Sequence, residues 1–125
     1  MPKDIEPVNE IERCRPWIEA ALEYSGDTHS FEDIVDGIRK GTMQLWPAKK
    51  GCIVTEIVVY PRKTYLNIFL AGGELEQILD MDSDVKAWCI AQGCDGAMMS
   101  GRIGWTKPLK PLGWKPIQTH FVKEF

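Results

Sequence analysis

The chain has 125 residues, 44% of them hydrophobic and 26% charged, with a formal net charge of −3, the make-up of one soluble globular domain of about average size. No apolar run approaches the roughly 20 residues that span a bilayer. The opening residues also lack the basic and then apolar layout of a signal peptide, so the expectation is a single intracellular domain over residues 1–125.

Residues 1–8 carry two prolines and read as an extended polar leader. From Asn9 the apolar positions Ile11, Cys14, Trp17, Ile18, Ala21 and Leu22 fall at helical spacing, with Pro16 predicting a kink or a start near Arg15. After a loop containing His29, Ser30 reads as an N-cap with carboxylates in the first turn, and Phe31, Ile34, Val35 and Ile38 line one face up to a stop at Gly41. Three strands are then predicted over residues 42–46, 52–60 and 64–71, joined by short turns at residues 47–51 and 61–63, which makes an antiparallel meander. A helical pattern runs over residues 74–92, with a break near Met81, Asp82 and Ser83, and stops at Gly93. A short apolar run at Ala97, Met98 and Met99 follows, then a Trp/Pro/Lys segment, and a closing strand is predicted over residues 117–123. The strand, glycine pair, helix and strand from Thr64 onward form a βαβ unit, whose crossover makes its two strands parallel and whose crevice lies at their carboxyl ends.

Cys14, Cys52 and Cys89 sit among apolar residues and read as small buried hydrophobes, with Cys94 exposed after its glycine. The cysteine spacings do not suit a zinc site, and no metal is expected. Charge is spread unevenly. Residues 1–60 hold seven Lys and Arg against eleven carboxylates, whereas residues 96–125 hold Arg102, Lys107, Lys110, Lys115 and Lys123 against Glu124 alone. That asymmetry suits self-association or a charged protein partner, while the basic end is too sparse to argue for nucleic acid. Arg102, Trp105, Lys107 and Lys110 form the most distinctive candidate partner surface, since Trp and Arg dominate interface energetics.

This order of elements resembles the GNAT acetyltransferase fold, an α/β architecture with a mixed, mostly antiparallel sheet and helices on both faces. The layout Leu70-Ala71-Gly72-Gly73-Glu74-Leu75, then residues 88–94, Gly101-Arg102-Ile103-Gly104-Trp105 and residues 109–114 is similar to small GNAT-like proteins encoded by tailed phages and prophages. The family resemblance implies that acetyl-CoA would lie between the strand ending at Ala71 and the strand near Ala97, held by the backbone of Ala71, Gly72 and Gly73. Its pyrophosphate would rest on the following helix start.

Three departures weigh against catalysis. The family's Arg/Gln-x-x-Gly-x-Gly/Ala loop is replaced by Gly72-Gly73 followed by Glu74 and Glu76, with no basic residue between Thr64 and Val85. Each like-charge contact with a diphosphate costs on the order of 1 kcal/mol or more. The family's tyrosine general acid aligns with Leu109. Glu56, in mid-strand, is the one candidate for a general base. The sequence is therefore read as a phage or prophage virion-associated protein, located in the virion or the host cytoplasm and using the fold as a non-catalytic assembly module without a cofactor. Its partners would be portal, capsid or internal core proteins, or a second copy of itself. The alternative is an acetyl-CoA-dependent N-acetyltransferase with Glu56 as its base.

Overall fold

The computed structural model describes residues 7–125, apart from the side chains of Pro7, Val8 and Ile103. Helix α1 (Pro7–Leu22) is followed by α2 (Phe31–Lys40), the strands β1 (Met43–Ala48), β2 (Gly51–Val59) and β3 (Thr64–Gly73), helices α3 (Leu75–Asp80) and α4 (Asp82–Ala91), and β4 (Gly96–Met99). A 3-10 turn at Ile103–Trp105, the one-turn helix α5 (Thr106–Leu109) and a second 3-10 turn at Lys110–Leu112 end the regular structure. Among the described residues no helix is long and apolar enough to cross a membrane.

The sheet order is β1-β2-β3-β4, antiparallel across the first two pairs and parallel between β3 and β4. This is the mixed, mostly antiparallel α/β arrangement expected. Alternation along the strands divides the core in two. Leu45, Cys52, Val54 and Leu70 meet Ile11, Cys14, Ile18, Phe31, Ile34 and Ile38 of α1 and α2. On the opposite face Trp46, Ile53 and Leu66 meet Ile78, Val85 and Cys89 of α3 and α4. Each fully buried aliphatic side chain stabilises by about 1.5–3 kcal/mol, so the pattern of apolar residues decides which helix covers which face.

Local chemistry sets the helix limits. Ser30 caps α2 in a reciprocal box with Asp33, and Gly41 ends it at φ 79°. Hydrogen bonds from the Ser30 backbone and hydroxyl hold the Asp33 carboxyl below the usual carboxylate range. The break foreseen near Met81 is real and separates α3 from α4. Gly93, at φ 84°, ends α4 with paired bonds from its own N–H to Ile90 and from the Cys94 N–H to Cys89, the Schellman arrangement.

Four expectations change. Residues 1–6 of the expected leader lie outside the described residues, but Pro7 already begins α1, because its fixed φ suits a first helical position and its missing N–H costs nothing there. The helix also runs on through Pro16, which is exposed together with Glu12 one turn earlier, so the lost bond faces water. β1 continues through Pro47, which pairs with Cys52; an edge strand tolerates a proline whose donor side faces outward. The closing strand over residues 117–123 does not form. Residues 115–125 carry no regular structure, are exposed and have no strand partner among the described residues, and backbone polar groups need such a partner to make a strand.

The face covered by α3 and α4 contains a satisfied polar chain. The Trp46 indole N–H donates to Thr55 Oγ1 at 3.0 Å, and the Thr55 hydroxyl donates to Gln44 Oε1 at 2.8 Å. Trp46 also meets Trp88 edge-on at 5.6 Å, an arrangement the aromatic quadrupole favours.

At the far end of β3 packing is tight enough to fix residue identity. A Cβ on Gly72 would lie 2.7 Å from the Trp17 carbonyl oxygen, and one on Gly73 would collide with Gly51 Cα and the Lys50 carbonyl. Gly73 also sits at φ 104°. Gly73→Ala is expected to lower stability by at least about 1–3 kcal/mol in urea denaturation. Gly104→Ala, with nothing within 4 Å of its added carbon, should stay within about 0.5 kcal/mol of the parent.

Candidate functional site

β3 and β4 pair only from Tyr65 opposite Gly96 to Ile68 opposite Met99, after which β3 runs on over residues 69–73 without β4 beside it. The cause of the parting is visible in the other ladder. Val54 faces Leu70 and Thr55 faces Ile68, so Phe69 is an extra residue on β3. Such a bulge bends the strand and sharpens its twist. Phe69 and Leu70 consequently both turn toward the α1/α2 layer, and both pack there. Residues 70–73 keep their ladder to β2, and among the described residues their backbone bonds to nothing else. The outer edge of this segment, which includes Ala71, Gly72 and Gly73, is therefore a short run of peptide groups without a ladder partner among the described residues, where β3 and β4 part.

The crevice floor near α3 is already engaged. The Glu74 N–H donates to the Lys50 carbonyl at 2.8 Å. The Gln77 side chain accepts from the Lys50 N–H and donates to Glu74 Oε1 at 3.3 Å. Glu74 stands at the N-cap without a side-chain cap bond, and Glu76 occupies the first turn. The β1–β2 turn thus docks on the start of α3, and two carboxylates surround it.

Glu56 lies on β2 one residue beyond the bulge step, half-buried on the face that α1 and α2 share. The Asn67 side-chain amide donates to Glu56 Oε2 at 2.9 Å. Oε1 has no partner among the described residues, so the carboxylate is oriented by one oxygen and open at the other. Farther along the sheet, Tyr60 and Tyr65 meet edge-on at 6.3 Å, with the Tyr60 hydroxyl 3.8 Å from Met98 Sδ.

No family model and no curated protein matches the sequence. The fold, in contrast, is matched over nearly the whole chain by solved structures. A probable acetyltransferase superposes with TM-score 0.70 at 9% identity, covering 94% of this chain and 93% of its own. A Trypanosoma brucei acetyltransferase gives 0.64 at 12%, covering 98% and 97%. An aminoglycoside acetyltransferase from an uncultured soil metagenomic sample, in complex with sisomicin, gives 0.66 at 9%, covering 94% and 91%.

The fold is GNAT-like.

Within this GNAT-like frame the loop between α1 and α2 packs on the bulge of β3 and on the loop after β4. His29 packs edge-on against Phe69 at 4.6 Å, with its Nδ1 2.7 Å from Thr28 Oγ1. The Arg102 guanidinium, in the loop after β4, lies 4.2 Å from the centre of the Tyr24 ring. The candidate partner residues thus have different surroundings. Arg102 rests on Tyr24, Trp105 packs half-buried against the α3/α4 core, and Lys107 and Lys110 are exposed on α5 and the turn after it. Leu109, at the family's tyrosine position, is half-buried.

The thiols are paired in space. Cys14 and Cys52 hydrogen-bond to each other in the α1/α2 layer; that bond pulls Cys14 down and, with burial, pushes Cys52 up. Burial followed by contact with Cys94 pushes Cys89 up to about 11. Cys89, buried, and Cys94, half-buried, meet across the Schellman turn. Among the described residues no three His, Cys, Asp or Glu side chains gather as a metal cluster.

Asn67, Phe69, Tyr24 and His29 were not foreseen as site residues. A lone amide inside the apolar run of β3 was a legible signal for Asn67; the other three depend on the bulge and on loop packing. An exposed cation–π pair contributes about 0.5–1 kcal/mol, so a double-mutant cycle on Tyr24→Leu and Arg102→Gln should return a coupling of that size by chemical denaturation. Additive single effects would mean that the two side chains do not hold each other in solution.

Proposed function

We propose that the chain is an acetyl-CoA-dependent N-acetyltransferase, with the open outer edge of residues 70–73 as the seat of the thioester arm and Glu56 as the general base. The observation that carries this reading is the bulge at Phe69, which frees a strand edge beside β4. Free peptide groups there can pair with the amides of an extended ligand as a strand would. The Asn67-oriented carboxylate lies just across the bulge.

When bound, acetyl-CoA would supply an activated acyl carbonyl. The chain's own residues would do the rest. Glu56 Oε1 would take the proton of the attacking amine, directly or through one water, while Asn67 keeps Oε2 occupied and the carboxylate in one orientation. The loops bearing His29 and Arg102 would border the acceptor side. The start of α3 does not suit a diphosphate: its first N–H is given to Lys50 and its carboxylates repel the ligand. Binding would therefore rest on the thioester arm, and no step is assigned to residues of α3.

That same acid favours a second reading, the non-catalytic assembly module, of which a virion-associated phage or prophage protein is one form. The named solved structures are acetyltransferases, and none of them is a virion protein.

Two measurements separate these readings. A saturating cofactor stabilises by about 3 kcal/mol at a hundredfold excess over its dissociation constant, so acetyl-CoA should raise the melting temperature of the protein. Removing a general base costs about 10²–10⁴-fold, so Glu56→Gln should lose that much turnover on a panel of primary amines while still showing the cofactor-induced shift. Absence of any shift in the parent protein would favour the assembly module; full turnover in Glu56→Gln would remove Glu56 from its role.

A further inference from the structure

The two thiol pairs differ in their access to water. Cys14 on α1 and Cys52 on β2 are 0% and 2% exposed inside the α1/α2 layer. Cys89 on α4 is also buried, but its neighbour Cys94 is half-buried and stands between Gly93 and Asp95, which are both exposed. Solvent therefore reaches one member of the second pair and neither member of the first.

The turn at the end of α4 brings Cys89 and Cys94 together. The Cys94 N–H donates to the Cys89 carbonyl at 3.0 Å, with Gly93 at φ 84° before it. Residues in these two places of a Schellman turn bring their side chains into contact, and Cys94 accordingly packs against the core cluster that holds Cys89. A disulfide needs Cα atoms roughly 4.4–6.8 Å apart, a spacing that a direct backbone bond between the two residues suits. Closing the bond draws the sulfurs to about 2.05 Å. The turn has room to follow, because nothing lies within 4 Å of a carbon added to Gly93.

We propose that Cys89 and Cys94 are a reversible disulfide site, oxidised by a low-molecular-weight disulfide such as oxidised glutathione. Cys94, reached by solvent, reacts first. Its thiolate attacks one sulfur of the oxidant, which forms a mixed disulfide and releases one glutathione, the Cys94 proton passing to the thiolate that leaves. Cys89 then attacks the Cys94 sulfur. The new bond closes within the chain, and the second glutathione departs with the Cys89 proton. Two protein thiols and one oxidised glutathione thereby give one protein disulfide and two glutathione thiols. Burial keeps the Cys89 thiol protonated, so it does not compete for the oxidant and acts only on the sulfur already beside it.

The bridge lies where β4 is attached. β4 pairs with β3 through four residues only, and its start is clasped from two sides. The Asp95 N–H donates to the Thr64 carbonyl at 2.7 Å, and the Thr64 N–H donates to Asp95 Oδ2 at 2.8 Å. From α4, the Cys89 thiol donates to the Gly96 carbonyl at 3.6 Å. Oxidation exchanges that weak S–H bond for a covalent tie between α4 and the segment leading into β4. The redox state thus sets how firmly β4 is fixed beside its parting from β3.

The test is peptide mass spectrometry. Folded protein is equilibrated with oxidised glutathione, desalted, unfolded in guanidinium with an alkylating agent present, and digested with trypsin. Cys89 and Cys94 fall in one peptide, residues 87–102, which is expected to escape alkylation and to have lost two hydrogens, while Cys14 and Cys52 are alkylated. Excess dithiothreitol should return the peptide to its alkylated mass. Cys89→Ser should stop at a mixed disulfide on Cys94, and Cys94→Ser should leave Cys89 free for alkylation. The bridged protein should melt at least about 3 °C above the reduced one. A peptide alkylated at both positions, a bridge at Cys14 and Cys52 instead, or a bridged form that melts no higher than the reduced one overturns the site. A mixed disulfide on Cys89 in Cys94→Ser overturns the order of the two steps.

Discussion

Between Ile68 and Leu70 the β2–β3 ladder sets two residues of β3 against one step of β2. A strand cannot absorb that mismatch and stay straight, so β3 bends where Phe69 is inserted. The bend has to be held, and both faces hold it. Phe69 and Leu70 sink into the α1/α2 layer with His29 against the Phe69 ring. Ile68 and Ala71 stay against the α3/α4 core. β4, pairing through four residues only, cannot follow. The parting of β3 from β4 and the open strand edge of residues 70–73 both descend from that one additional residue.

The glycine pair shows how one feature admits two explanations of different weight. Gly72-Gly73 before a helix suggests a phosphate cradle when read as a motif. In three dimensions Gly73 is required by contact with Gly51 and Lys50 and by its positive φ, and Gly72 by the approach of the Trp17 backbone. Packing alone therefore accounts for both glycines, which leaves them without weight as evidence for a ligand. The carboxylates are different. No fold contact demands Glu76 in the first turn of α3, and Glu74 reaches only Gln77. Their cost toward a diphosphate is the strongest local argument against full cofactor binding, and it opposes the free edge of residues 70–73 a few residues upstream.

Elements governed by local chemistry were legible in the sequence. Ser30 and Gly41 bracket α2, Gly93 ends α4, and the acidic interruption after Met81 divides the crossover helix, because capping and glycine conformations depend on a few neighbours. The three meander strands followed from β-branched runs and short turns. Glu56 and the segment 71–73 were also singled out; Glu56 lies on β2 opposite Asn67, and residues 71–73 lie beyond the last β3–β4 pair. The bulge was not legible, since nothing in Asn67-Ile68-Phe69-Leu70 marks where alternation slips a residue. Tyr24 was missed for a related reason, as its partner, Arg102, lies far away in sequence.

The tail sharpens this distinction between local and non-local information. Residues 117–123 carry the composition of a strand, but a strand is a relation between two segments and sequence reports only one of them. Among the described residues three sheet edges lack a ladder partner: the outer sides of β1 and β4, and residues 70–73 of β3 beyond the last β3–β4 pair. The first two exist because a sheet has to end, whereas the third lies in line with β4 and exists because of the bulge. A vacancy of that kind is held in place by packing, since Phe69 and Leu70 fix the bend that makes it.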